Sequence, residues 1–272
     1  MRKFTYPILV ALVTAGFYIW ENYLDKKEHS EFVEETKSNG SSSDFDYLPT
    51  STTDQVVEHA YYSLSYSEKH EQPEWVAYEL KKEHTAYNDF KRPYFEVDPL
   101  VKGNSASWRN YKNSGYDRGH MCPAADRKFN KKAHDETFLT SNISPQKHKF
   151  NAGIWNDLEQ KVRYWVKKEN RLFVVTGPVF GNSTKTIGSE GVTVPEKFFK
   201  IVLDYDAGNS KMIGFVIPHN TSSRNLKEFV IPVDKIESLL DIDFFAALPD
   251  DLENKLEGSK GKGWKFQLLS FL

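Results

Sequence analysis

The chain has 272 residues, 39% hydrophobic and 14% aromatic, which is enough for one large domain or two small ones. Its formal charge is −2, from 36 Lys/Arg against 38 Asp/Glu, so no bulk basicity points to a nucleic-acid partner. The single cysteine, Cys122, excludes an intrachain disulfide. The distribution of charge says more than the total. Residues 102–171 hold 15 Lys/Arg and 7 Asp/Glu, a local balance of +8, and the remainder carries −10. A basic centre beside acidic flanks can hold a polyanion locally. An ordinary solvated mix of charges accounts for the same numbers.

In chain order, Met1-Arg2-Lys3 is a basic start, and the 17 residues from Phe4 to Trp20 carry no charge. Residues 1–24 are expected to form an N-terminal membrane anchor or a signal peptide. Val13-Thr14-Ala15 is a poor cleavage site, and Tyr18, Trp20 and Tyr23 resemble an aromatic belt at a membrane interface, which favours the anchor. A buried helix of the folded domain is the alternative. Anchor and signal alike predict an exported chain, periplasmic or extracellular, whose N-terminal segment meets a membrane. Residues 25–52 are charged and then Ser-rich, as in Ser38-Asn39-Gly40-Ser41-Ser42-Ser43, and read as a linker. The globular domain is expected over residues 53–272.

Within it, His59–Tyr66 and Glu74–Leu80 alternate like strands around a polar break, which predicts a hairpin. Lys91-Arg92-Pro93-Tyr94-Phe95-Glu96-Val97-Asp98-Pro99 is kept extended or looped by its prolines, with Arg92 free to reach a ligand or merely solvent. Asn151–Lys168 carries the clearest helical pattern: Ile154, Trp155, Leu158, Val162, Trp165 and Val166 recur at helical spacing. On a regular helix Asn151 and Glu159 would stand roughly 12 Å apart along the axis and about 80° apart around it. Arg171–Phe180 predicts a buried strand ending at Gly177-Pro178, and Phe198–Asp204 and Met212–Pro218 predict two more. Short helices are expected after Asp234 and Pro249.

The stretch that organises the chain is Tyr116-Asp117-Arg118-Gly119-His120-Met121-Cys122-Pro123. Asn142-Ile143-Ser144-Pro145-Gln146 follows it, and then the Asn151–Glu159 segment. Together they supply the parts of a phosphodiester-cleaving site. Histidine titrates near neutral pH and suits a base. Arginine stays charged and binds phosphate oxygens bidentately. An asparagine carbonyl suits a hard divalent cation that keeps several waters. Taken singly, each residue has a blander reading. Asn151 fits a helix N-cap, Glu159 an i,i+4 pair with Arg163, and Arg92 a surface arginine. Cys122, two residues past His120, permits a thiol hydrolase, though free cysteines are commonly small buried hydrophobes. No zinc-type His/Cys pair or phosphate-binding loop of the Gly-x-x-x-x-Gly-Lys type competes.

Three segments in order carry a resemblance: Asp117-Arg118-Gly119-His120 with Pro123, Thr137–Gln146, and Asn151 through Glu159. With correct gaps between them, the chain resembles the DNA/RNA non-specific endonucleases, endonuclease G-like enzymes with a ββα-metal (His-Me finger) core. The resemblance covers roughly Tyr61 to Gly258. It implies an α+β fold with a mixed central sheet, and a metal-dependent endonuclease that cleaves DNA and RNA with little sequence specificity, leaving 5′-phosphate ends. It assigns His120 as general base, Asn151 as the protein ligand of one Mg2+ (Mn2+ substituting), and Glu159 as the carboxylate orienting the ion's waters. Arg118 and, on a softer alignment, Arg92 fall on phosphate-binding positions, Asn142 on a brace of the site, and Arg163 on a weaker substrate contact. A homodimer is a common arrangement in such a family. A relative that binds nucleic acid without cutting it is the other outcome this resemblance allows.

Overall fold

A computed structural model of the chain describes residues 13–20, 23, 45–206, 208–220 and 225–266. The chain divides into residues 1–40 and 41–272. In the first unit residues 13–20 are helical and expose Phe17, Tyr18, Ile19 and Trp20. Among the described residues no helix is long and apolar enough to cross a membrane. Apart from Tyr23, the other residues of the expected anchor, and residues 25–44 of the expected linker, lie outside the described residues.

The second unit is built on a seven-stranded sheet of order β1-β2-β3-β6-β9-β10-β11. Its strands are β1 (Val56–Glu58), β2 (Ser63–Ser67), β3 (Gln72–Lys81), β6 (Arg171–Val179), β9 (Lys197–Asp204), β10 (Lys211–Pro218) and β11 (Val230–Ile231); outside it lie β4 (Asp117–His120), helix α1 (Lys131–Glu136), β5 (Ile143–Gln146) and the short pair β7 (Thr186–Ile187) and β8 (Val192–Thr193). Every pairing in it is antiparallel, which corrects the expectation of a mixed sheet. The short links β1–β2, β2–β3 and β9–β10 are too brief for a crossover and force the antiparallel arrangement. The α+β class is as the resemblance implied.

Alternation along the central strands divides the core into two layers. Val76, Tyr78, Leu80, Val174, Phe198 and Val202 face one side; Trp75, Ala77, Phe173, Val175, Phe199 and Ile201 face the other. The first side is covered by helix α2 (Asn156–Glu169) through Leu158, Val162, Trp165 and Val166. The second is covered by α3 (Val233–Leu240) and α4 (Asp250–Glu257) and by Phe244, Phe245 and Leu248. Because both faces are covered, β3 is buried at nine of its ten positions. Each large apolar side chain that α2 buries contributes on the order of 1.5–3 kcal/mol.

Two boundaries differ from the sequence reading. Residues 45–52, assigned to the linker, belong to the domain. Phe45 and Tyr47 pack against Phe173, with centroids 5.3 and 5.0 Å apart. The Trp75 indole donates to Thr50 O at 2.9 Å. Three aromatic or aliphatic side chains (Phe45, Tyr47 and Leu48) were hidden in a stretch whose average composition is polar. In addition, Gly177-Pro178 does not end β6, which continues to Val179. β3 pairs β6 only as far as Thr176, so Pro178 faces no partner on that side and needs no amide proton there.

Candidate active site

Strand β4 (Asp117–His120) pairs antiparallel with β5 (Ile143–Gln146), placing His120 opposite Ile143 and Gly119 opposite Ser144. Glycine is required at 119, because a Cβ there would lie 2.3 Å from the side chain of Gln146. After β5 come a helical turn (His148–Phe150), a wide turn (Asn151–Trp155) and then α2. Two strands and a helix in succession make the ββα unit. The expected single helix from Asn151 is therefore corrected. Gly153 sits at φ −101°, ψ −117°, outside helical space, so Asn151 is offset from the axis that carries Glu159. Wide helical turns of this kind concentrate at functional sites.

His120 stands against an aromatic wall. Its ring lies 5.6 Å from Phe95 and, edge to face, 4.9 Å from Phe138. Its Nε2 is enclosed and has no hydrogen-bond partner. Burial, with help from the Arg92 and His134 charges, pushes its pKa down to about 3, so the imidazole is neutral near pH 7. The same wall carries both candidate arginines. The Arg92 guanidinium lies 5.4 Å from the Phe95 and Phe138 centroids, and that of Arg118 lies 4.7 Å from Phe95. Neither is paired with a carboxylate among the described residues. Guanidinium planes laid on aromatic faces keep their N–H edges free for an anion.

Asn151 is partly exposed, and its Nδ2 donates to Asp117 Oδ2 at 3.0 Å. His148 Nδ1 reaches the same carboxylate oxygen at 2.9 Å. With the amide nitrogen committed, Oδ1 is the atom Asn151 can offer a cation. Asp117 begins the strand that ends at His120, so amide and imidazole belong to opposite ends of one short strand, about 10 Å at 3.3–3.4 Å per residue.

Glu159 lies one face further along α2, partly buried, its pKa pushed up to about 7. Desolvation is the main cause; the Lys200 and Arg163 charges act against it and the Asp126 charge with it. Arg163 is held by Asp126 at 2.7 Å, and Asp126 also accepts from Tyr78 Oη at 3.1 Å. Lys200, on β9, is fully buried; its Nζ lies 4.8 Å from the Trp155 centroid and has no hydrogen-bond partner. Burial lowers its pKa, while Glu159 and Asp126 raise it.

The remaining candidates are structural. Asn142 is fully buried: its Oδ1 accepts from Cys122 N at 2.8 Å, and its Nδ2 donates to Cys122 O at 3.0 Å and Thr137 O at 2.9 Å. It fastens the chain just past His120 and is out of reach of any substrate. Cys122 is also fully buried, and its thiol is pushed up to about 12, mainly by burial. β4 ends at His120, so the extended spacing that would have turned the thiol toward the imidazole does not continue to Cys122. A thiolate nucleophile is thereby ruled out at neutral pH.

Sequence reasoning missed Asp117 as the holder of Asn151, the Phe95–Phe138 wall, Asp126 and Lys200. Only Lys200 carried a signal, a lone cation inside the apolar run Phe198-Phe199-Lys200-Ile201-Val202-Leu203.

Against this geometry the comparisons with known proteins agree with one another. The family description "DNA/RNA non-specific endonuclease" matches residues 41–251. The chain belongs to that family. It is 33% identical over 214 residues to mitochondrial nuclease EXOG of Xenopus laevis, covering 72% of this chain and 59% of that protein. It is 30% identical over 247 residues to mitochondrial endonuclease G of Caenorhabditis elegans, covering 80% of each. A solved structure of an EndoG/EndoGI complex matches with a TM-score of 0.66 and 30% identity, over 71% of this chain and 86% of that one. The chain thus spans about three-fifths of the length of the Xenopus relative. These relatives are named as mitochondrial nucleases, which overturns the expected export to a periplasmic or extracellular location. A basic start before an uncharged apolar stretch carries no information on which compartment receives the chain.

Proposed function

We propose that the chain is an endonuclease that hydrolyses phosphodiester bonds of DNA and RNA with the help of one divalent cation, Mg2+ or in its place Mn2+. The observation that carries this reading is the strand β4, which bears a neutral His120 at one end and an Asp117 holding the Asn151 amide at the other. Family membership over residues 41–251 supports it.

The donor set fits a hard cation. Asn151 Oδ1 would hold the ion and the Glu159 carboxylate would hold its waters, with no sulfur or imidazole ligand in the set. When bound, the ion would supply positive charge at the departing oxygen. The chain's own residues do the rest. Arg118 and Arg92 take the phosphate oxygens on guanidiniums held flat by Phe95. With Nε2 enclosed, His120 accepts a proton from water at Nδ1 as the water oxygen bonds to phosphorus. The P–O3′ bond breaks, leaving a 5′-phosphate and a 3′-hydroxyl whose proton comes from solvent. Contacts made on phosphates carry no base information, which accounts for weak sequence preference and predicts strong salt sensitivity.

Plasmid digestion with Mg2+, with Mn2+ and with chelator tests the reading. Cutting is expected with either ion and is expected to stop with chelator. Cutting indifferent to chelator would refute the cation's role, and nucleic-acid binding without any cutting would leave a binding protein.

A further inference from the structure

On the sheet face opposite α2, three carboxylates converge between α3 and α4. Asp234 and Glu237 lie three residues apart and so share one face of α3. Glu257 ends α4. Their oxygens lie within 4.8 Å of one another. Independently of that proximity, Glu257 is only 5% exposed, and its Oε1 is shut off from water without a hydrogen-bond partner. One turn earlier, Glu253 Oε1 is likewise enclosed and unpartnered. The charges bearing most on Glu257 are those of Glu237, Glu253, Asp234 and Asp243, all carboxylates. The end of α4 adds to them. A Cβ on Gly258 would stand 3.6 Å from Asp234 Oδ2, so the helix's negative pole lies beside Asp234.

A buried carboxylate oxygen with no donor, ringed by like charge, needs either protons or a cation. We propose that Asp234, Glu237 and Glu257 form a Ca2+ site that clamps α3 to α4, separate from the catalytic centre. A set made of carboxylates alone, on two separate helices, favours Ca2+ over Mg2+. Ca2+ takes six to eight oxygens, carboxylates included, in flexible geometry, whereas Mg2+ dehydrates reluctantly and demands a near-ideal octahedron.

The test uses the full-length, chelator-stripped chain carrying Asn151→Ala, which removes the ligand proposed for the catalytic cation. Calorimetry with Ca2+ alone should find one ion bound per chain, with a raised thermal midpoint. Glu257→Gln, or Asp234→Asn at an exposed position that leaves folding intact, should weaken that binding about ten-fold or more. In the wild-type background, Asp234→Asn should leave Mg2+-dependent cutting unchanged. Absence of Ca2+ binding up to millimolar concentration overturns the proposal, as does binding that neither substitution weakens.

Discussion

The two ends of the candidate site are partly shielded from water in the same way and respond in opposite directions. Around His120 the walls are Phe95 and Phe138, and burial pushes the imidazole down to about 3. Around Glu159 the surroundings are charged, yet burial still dominates and pushes the carboxyl up to about 7. Loss of solvent disfavours the charged form of either group. For a base, neutrality is the working state, so the His120 end is ready as folded. On the proposed reading Glu159 orients a cation's waters, and for that task neutrality is a resting state that the cation would reverse. The imidazole half would then be completed by the chain, and the carboxylate half by the ion.

The sharpest way to break this comparison is to empty the imidazole half. His120→Ala should lower the initial rate of plasmid cutting by about 10²-fold or more, with cation binding unchanged. Equal loss of cation binding would mean that the two ends are not separate. Next in size is Glu159→Gln, which should raise the cation concentration needed for cutting by about 10–100-fold. It should also change the pH profile. His120, at about 3, is already deprotonated across the neutral range. The acid limb of kcat/KM near pH 7 is therefore expected to report Glu159 and to vanish in the Gln variant. The stability consequence has a defined sign. A carboxyl raised from 4.5 to about 7 in the folded state contributes stability below pH 4.5 that is lost as pH rises through about 7. Cation-free wild type should lose stability relative to Glu159→Gln across that window, and denaturant melts at pH 4.5 and 7.5 would reveal it.

Much of this was legible in residue order and some of it could not be. β4 carries Arg118 and His120, and Asn142 immediately precedes β5, so the signature read from sequence coincides with a local ladder. The α2 pattern was equally clear because its apolar stripe obeys a single period. What failed was regularity: one residue outside helical φ/ψ, Gly153, broke the line from Asn151 to Glu159. The contacts of Asp117, Asp126 and Lys200 were hidden because each partner lies more than 30 positions away, on a separate strand or helix. Even a motif residue such as Asp117 does not announce that it grips an amide rather than a substrate.

A smaller effect tests how the carboxylate half is kept ready. Lys200→Met removes the buried ammonium whose charge opposes the protonation of Glu159. The methionine keeps the length and the contact with Trp155, and an unpaired buried charge is costly to retain. The variant should fold at least as stably as wild type, yet show its acid limb shifted to higher pH and need more cation at pH 7. An unshifted limb would mean that Glu159 is set by burial alone.

Smallest of all is the expected effect of Cys122→Ser on cutting. The thiol is buried beside the Arg127 side chain, to which it hydrogen-bonds, and its backbone N–H and C=O serve the site through Asn142. A hydroxyl in its place keeps Arg127 as a partner but exchanges a buried sulfur for a more polar, smaller group, and should cost about 1 kcal/mol of stability. Cutting per folded molecule should stay at the wild-type rate, because no proton or bond in the reaction passes through sulfur. Loss of rate in excess of the loss of folded protein would put the nucleophile back at position 122 and undo the division between the two halves.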